Sequence, residues 1–131
     1  MGALKTLSCV LLLASTLVAP ALPAFATAQP DPLRLIATCT GRMSAQMEFQ
    51  WMFDGAKADA TEAVRDRMID ILEAMMSPDQ GRDVLNWRIE AKMAQAALLS
   101  RAVFNLDKRD ARRAQRAAQQ KIGACRSLLL S

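Results

Sequence analysis

The apolar positions of this chain recur at helical spacing through four segments, and nowhere do they alternate with the period of two that a half-buried strand requires. The first segment covers about residues 33–53, where Ile36, Cys39, Thr40, Met43, Met47 and Trp51 fall on one face and Asp54-Gly55 closes the run. The second covers about residues 60–76, with Val64, Met68, Ile71, Leu72 and Met75 as its stripe. Asp59 stands at its N-cap position with Glu62 three residues on, the spacing of a capping box. The third opens on Ser77-Pro78-Asp79-Gln80, in which serine caps, proline fills the first helical position and glutamine reaches back to the cap. Leu85, Ile89, Met93 and Ala96 line one side of it, and Trp87, Leu98 and Val103 widen the expected buried face. The fourth begins near Asp107 and runs to about Leu128, with Ala111, Ala114, Ala118, Ile122, Cys125 and Leu129 as its apolar line. Its early positions are alanine, so that end either approaches its neighbours closely or buries little.

Residues 1–28 have a different character. Lys5 is their only charged side chain, and it precedes an apolar run from Leu7 to Ala19. That run is shorter than the about 20 apolar residues a membrane helix needs. Pro20 and Pro23 break it, and Ala24, Ala26 and Ala28 follow. A charged start, a short apolar middle and an A-x-A ending make a secretory signal peptide. Ala26-Thr27-Ala28 favours cleavage after Ala28, with Ala26 as the alternative. Cys9 has no apolar segment ahead of it, so the signal is not of the lipoprotein kind. The compact signal is of the bacterial type and directs the chain to the periplasm. The expectation is one helical domain over residues 29–131, with no transmembrane segment in the mature chain.

Removal of the signal takes Cys9 with it and leaves Cys39 and Cys125, a pair that reads as a disulfide in an exported chain of this size. A redox pair would place its cysteines as C-x-x-C. Closing so long a loop stabilises a fold by about 4–5 kcal/mol in the chain-entropy model. The bridge bears on topology. In a small antiparallel four-helix bundle the start of the first helix and the end of the fourth lie together, which brings Cys39 to Cys125. The alternative is three helices, with residues 105–107 inside one long C-terminal helix that carries Cys125 away from Cys39. Composition supports an all-α fold, since Ala, Leu, Met, Gln, Glu and Arg dominate the chain and tyrosine is absent. Gly41 and Gly123, each two residues from a cysteine, mark either close backbone approach beside the bridge or fraying near helix ends.

Charge then separates the faces. The chain holds 17 Lys and Arg against 13 Asp and Glu, a net charge of +4. The excess is concentrated in the fourth segment, where Lys108, Arg109, Arg112, Arg113, Arg116, Lys121 and Arg126 face only Asp107 and Asp110. Arg109, Arg112, Arg113 and Arg116 share the face opposite the alanine line. Such a stripe meets an acidic protein partner or an anionic envelope component. The plain alternative is a solvated face, partly neutralised by Asp59, Glu62, Asp66 and Glu73 of the second segment. Nucleic acid is excluded by the expected compartment and by the lack of aromatics among the charges.

Candidate chemistry is sparse. Histidine is absent, which removes the commonest general base, and no carboxylates are paired at the spacing glycoside hydrolysis uses. The chain therefore reads as a binding protein, not an enzyme, with no cofactor. Methionine supplies one alternative. Met43 and Met47 stand one helical turn apart, and thioethers are ligands for monovalent copper. Their positions on the core stripes make them core filler in the competing reading.

The stretch Cys39-Thr40-Gly41-Arg42-Met43-Ser44-Ala45 resembles the opening of small uncharacterised exported bacterial helical proteins with a C-x-G-R-x-S-A motif. That resemblance implies export and a helical fold, and carries no activity with it. Ala114-Gln115-Arg116-Ala117 ahead of Cys125 is similar to the last helix of helical periplasmic lysozyme inhibitors, which implies an inhibitor whose partner is a lysozyme. Ala118 and Lys121 stand where that family has aromatic residues, and the mature chain has one cysteine pair only.

Overall fold

Local capping chemistry sets where each helix begins. The computed structural model of the protein describes residues 30–130, and the proposed signal peptide with both cleavage positions lies outside them. Asp31 accepts a hydrogen bond from the Leu33 N–H (3.1 Å) and Pro32 occupies the first turn, so α1 runs Pro32–Trp51. Asp54 accepts from the Lys57 N–H (3.2 Å) and starts α2, Gly55–Met75. The cap expected at Asp59, with Glu62 completing a box, is therefore corrected. Both residues lie inside α2, because Asp54 offers an earlier cap and the intervening Ala-rich stretch extends the helix back to it.

Ser77 and Gln80 behave as their spacing predicts. The Gln80 side chain accepts from the Ser77 N–H (3.0 Å), and one 3-10 turn, Pro78–Gln80, leads into α3, Gly81–Phe104. The chain then breaks. Asn105 turns extended, its Oδ1 accepts from the Asp107 N–H (3.0 Å), and Asp107 caps α4, Lys108–Ser127, by accepting from Arg109 N–H (2.8 Å) and Asp110 N–H (3.2 Å). Two consecutive side chain-to-backbone turns are incompatible with one continuous helix. The long C-terminal helix is thus excluded, and the described residues form an all-α up-down-up-down arrangement of four α-helices.

The partners show how the helices run. Met43 meets Met68, and the buried Thr61 hydroxyl donates to Gln50 Oε1 (2.6 Å), so α2 runs antiparallel to α1. Leu33 packs near Val84, and Glu48 pairs with Lys92 (2.6 Å), so α3 runs parallel to α1. Cys39 and Cys125, 86 residues apart, are joined, and α4 runs antiparallel to both α1 and α3. α1 touches each of the other three helices and is the centre of the molecule. One core cluster gathers Cys39, Met43, Met68, Ile122 and Cys125; a second gathers Leu33, Ala37, Leu72 and Val84.

The side of α3 that faces inward differs from expectation. Leu85, Ile89 and Met93 are exposed, as are Ala96 and Val103, while Val84, Gln95 and Leu99 are buried. The reason is steric. α1 presents Ala37, Gly41 and Ala45 in a line, and the Arg88 backbone rests on Gly41 so closely that a Cβ there would collide with the Arg88 carbonyl. A face bearing Leu85 and Ile89 would hold the two helices apart. Gly41 is thus a close-approach glycine, but against α3, not beside the bridge. Gly123 has no neighbour among the described residues within 4 Å of the space a side chain would fill. Trp51 and Met75, expected on core stripes, are exposed at the helix ends, and Ile71 is exposed on the outside of α2.

Two stability outcomes follow. Gly41→Ala destabilises the fold by about 1–3 kcal/mol through overpacking, whereas Gly123→Ala stabilises it by about 0.5–1 kcal/mol by removing a solvent-facing helical glycine. Urea unfolding of the two variants checks the opposite signs. Reduction of the Cys39–Cys125 bridge lowers the unfolding free energy by about 4–5 kcal/mol, measured as the shift of the urea midpoint with and without reductant.

Candidate functional site

The basic face is built on a helix that has little else to hold it in place. Ala111, Ala114 and Ala118 are buried and bring α4 close to its neighbours, and the Gln95 side chain donates to the Ala118 carbonyl (3.3 Å). Only Ile122 and Cys125, at the far end, bury larger groups. On the opposite side Arg109, Arg112, Arg113 and Arg116 are all exposed, as the sequence spacing predicts.

Their neutralisation is local. Asp110 is the carboxylate at this end that engages arginine: Arg101 binds both its oxygens (2.7 and 3.2 Å), Arg113 lies 3.6 Å away, and Asn105 Nδ2 donates to it (2.6 Å). The Arg101 guanidinium holds the Asp110 carboxyl below the usual carboxylate range, and Arg101 is raised in turn. Among the described residues Lys108, Arg109, Arg112 and Arg116 have no carboxylate partner. The acidic stripe of α2 does not supply one. Glu62 and Asp66 are taken up by Arg65 of the same helix (3.2 and 2.7 Å), and Asp59 and Glu73 form no ion pair among the described residues. Neutralisation across helices, the alternative that the sequence left open, is not made among the described residues: α2 meets α4 at that helix's far end, where Met68 packs with Ile122 and Cys125 and Arg126 donates to the Thr61 hydroxyl (3.4 Å).

The N-terminal end of α4 coincides with a feature that sequence reasoning missed. α1 and α3 are parallel, so the α1–α2 and α3–α4 turns meet at one end of the bundle. The first turn exposes Trp51, Met52 and Phe53 (54, 62 and 61%), and the second exposes Phe104 and Leu106 (66 and 92%). The Phe49 and Phe53 rings meet at 5.0 Å, tilted at 49°, Phe49 and Val103 line one groove, and Met52 and Phe104 line another. The signal was present in Phe49-Gln50-Trp51-Met52-Phe53, an apolar cluster running straight into the Asp54-Gly55 stop.

The methionine pair is in the core. Met43 and Met47 are buried, and Arg65 Nη1 donates to the Met47 sulfur (3.0 Å). A soft cation shared by these thioethers would have to displace a guanidinium. Among the described residues no group of three or more His, Cys, Asp or Glu is placed to hold a metal ion.

A polar cavity of about 260 Å³ lies between α1, α3 and α4, lined among others by Arg34, Arg42, Trp87, Glu90, Gln95 and Lys121. Arg34 stacks over Trp87 (5.5 Å), and Arg42 Nη1 points to the Cys125 sulfur (3.9 Å) with its pKa lowered by burial. The buried Gln95 Oε1 has no hydrogen-bond partner among the described residues. No described helix is long and apolar enough to cross a membrane. No family model matches the chain, and no curated protein or solved structure matches it.

The Asp110 pairing sets a pH dependence. A carboxyl depressed in the folded state contributes stability that is complete above the unfolded value and is lost as pH falls through the folded one. Asp110→Asn therefore melts below the parent protein at pH 6, and the gap closes as pH drops below about 4. Thermal melts of both proteins between pH 6 and pH 2 follow it.

Proposed function

We propose that this chain is an exported periplasmic protein that acts by binding, not by catalysis, and that the outer face of α4 meets an anionic component of the cell envelope. The observation that carries the reading is the set Lys108, Arg109, Arg112 and Arg116, exposed and without a carboxylate partner among the described residues. Arginines bound to internal carboxylates stabilise a fold; arginines held out on a rigid alanine-backed helix keep their donors free for phosphate or carboxylate groups on another surface. A face on a capped helix also keeps its charges at fixed spacing, so attraction adds along the stripe.

Co-sedimentation with an isolated envelope fraction tests the proposal. Wild-type protein sediments at low salt and is released as salt rises, since exposed charge pairs are screened. Arg112→Glu, Arg113→Glu and Arg116→Glu together weaken sedimentation by at least about tenfold. Reversal of the exposed Arg67 and Arg82, on α2 and α3, leaves it unchanged. Equal sedimentation of wild type and the α4 triple variant would remove the reading.

A further inference from the structure

Turns between helices are ordinarily polar, because they stand in water. Both turns at one end of this bundle are apolar instead. Trp51, Met52 and Phe53 project from the first, and Phe104 and Leu106 from the second, with Val103 beside them. The shared grooves and the Phe49–Phe53 ring contact join Met52, Phe53, Val103 and Phe104 into one patch, and Trp51 and Leu106 adjoin it along the chain. The carboxylates of the two turns are occupied. Asp54 caps α2 and pairs with Lys57 (2.8 Å), Asp107 caps α4, and Asp110 holds Arg101. Among the described residues the unpaired charges around the patch are mostly cationic: Lys108, Arg109 and Arg112 lie in the first turns of α4, after Leu106 and the capping Asp107, against the one exposed carboxylate Asp59 in the first turns of α2.

We infer that this end of the bundle docks onto the surface of a bilayer containing anionic phospholipid. Trp51, Phe53, Phe104 and Leu106 enter the boundary between headgroups and acyl chains, and the α4 arginines bind headgroup phosphates around them. The inference rests on the reading of α4 as a face for an anionic envelope component, and names that component. Apolar, aromatic-bearing tips ringed by Lys and Arg match the layering of such an interface, where aromatic rings sit at headgroup depth and cations sit just above. A second copy of the chain fits poorly, since pairing tip to tip would bring Lys108, Arg109 and Arg112 of each copy together. A folded protein would need a socket shaped to two convex turns, whereas a bilayer conforms to them.

The chain's two tryptophans report on this directly, because Trp51 is at the docking end and Trp87 packs near Leu33 and Val84 at the other. Trp87→Phe and Trp51→Phe proteins, each produced from the full chain, are titrated with phosphatidylglycerol vesicles and with phosphatidylcholine vesicles. Emission is read together with quenching by bromine-labelled acyl chains. The expected result is a blue shift and quenching of Trp51 on phosphatidylglycerol alone, with Trp87 unchanged. Adding Phe53→Ser and Phe104→Ser to the Trp87→Phe protein weakens partitioning by about tenfold or more, while circular dichroism stays the same because both side chains are exposed. Trp51 remaining in water while vesicles still sediment the protein through its arginines overturns the insertion and leaves the α4 reading standing. So does envelope sedimentation without any vesicle binding. Equal shifts of Trp51 on both lipids overturn the role given to anionic headgroups, and equal responses from both tryptophans overturn docking by this end.

Discussion

The contact on which this fold depends is the parallel seam between α1 and α3, where the Arg88 backbone lies against Gly41. Ala37 and Ala45, one turn to either side, keep the seam narrow. Close approach there places α1 at the centre and leaves its other faces, with Cys39, Met43 and Met47, to α2 and α4. It also fixes the ends. Because α1 and α3 run the same way, the turns that follow them emerge together, and residues far apart in sequence become one apolar surface. The exposed tip and the seam are two consequences of one steric fact.

The tether complements the seam. α4 buries three alanines along its first half, and each contributes little hydrophobic stabilisation compared with a leucine. Its far end is held covalently through Cys125 and by Ile122 in the core cluster. Its near end is held by polar contacts, the Asp107 cap and the Arg101–Asp110–Asn105 network. A disulfide that constrains the unfolded chain offsets what the alanines leave out. It does so without occupying the outer face, which stays available to charged groups.

Much of this was legible in the sequence where one local signal had no rival. The Ser77-Pro78 start, the cysteine pair, the alanine line and the arginine face all required only spacing and residue type. At the start of α2, Asp54 read only as the stop of the preceding segment, yet it caps the helix ahead of Asp59 because nothing between them opposes a helix. On α3 the rivals were two apolar faces. Leu85, Ile89 and Met93 make one, Val84, Trp87 and Leu99 another, and periodicity gives no reason to prefer the smaller. Only the glycine on a different helix decides between them. Trp51 was misplaced for a related reason, since a residue on the right face loses its partners once the helix ends one position later.

The candidate surface divides along the same line. Its arginines belong to one helix and could be read from one segment, whereas its aromatic half is assembled from two turns, and no single segment announces it. Distance in sequence also explains the missing neutralisation. Asp59, Glu62, Asp66 and Glu73 have the charge to oppose the arginines, yet charge composition says nothing about where along their length two helices meet. Of the two carboxylates at the start of α4, Asp107 caps the helix and Asp110 is shared among Arg113, Arg101 and Asn105. The residual positive charge therefore accumulates beside the turn that carries Leu106. A surface that is both desolvated by apolar side chains and lined with unpaired cations is stable in water only while water hydrates those cations, and it gains most from a neighbour that supplies anions and apolar volume together.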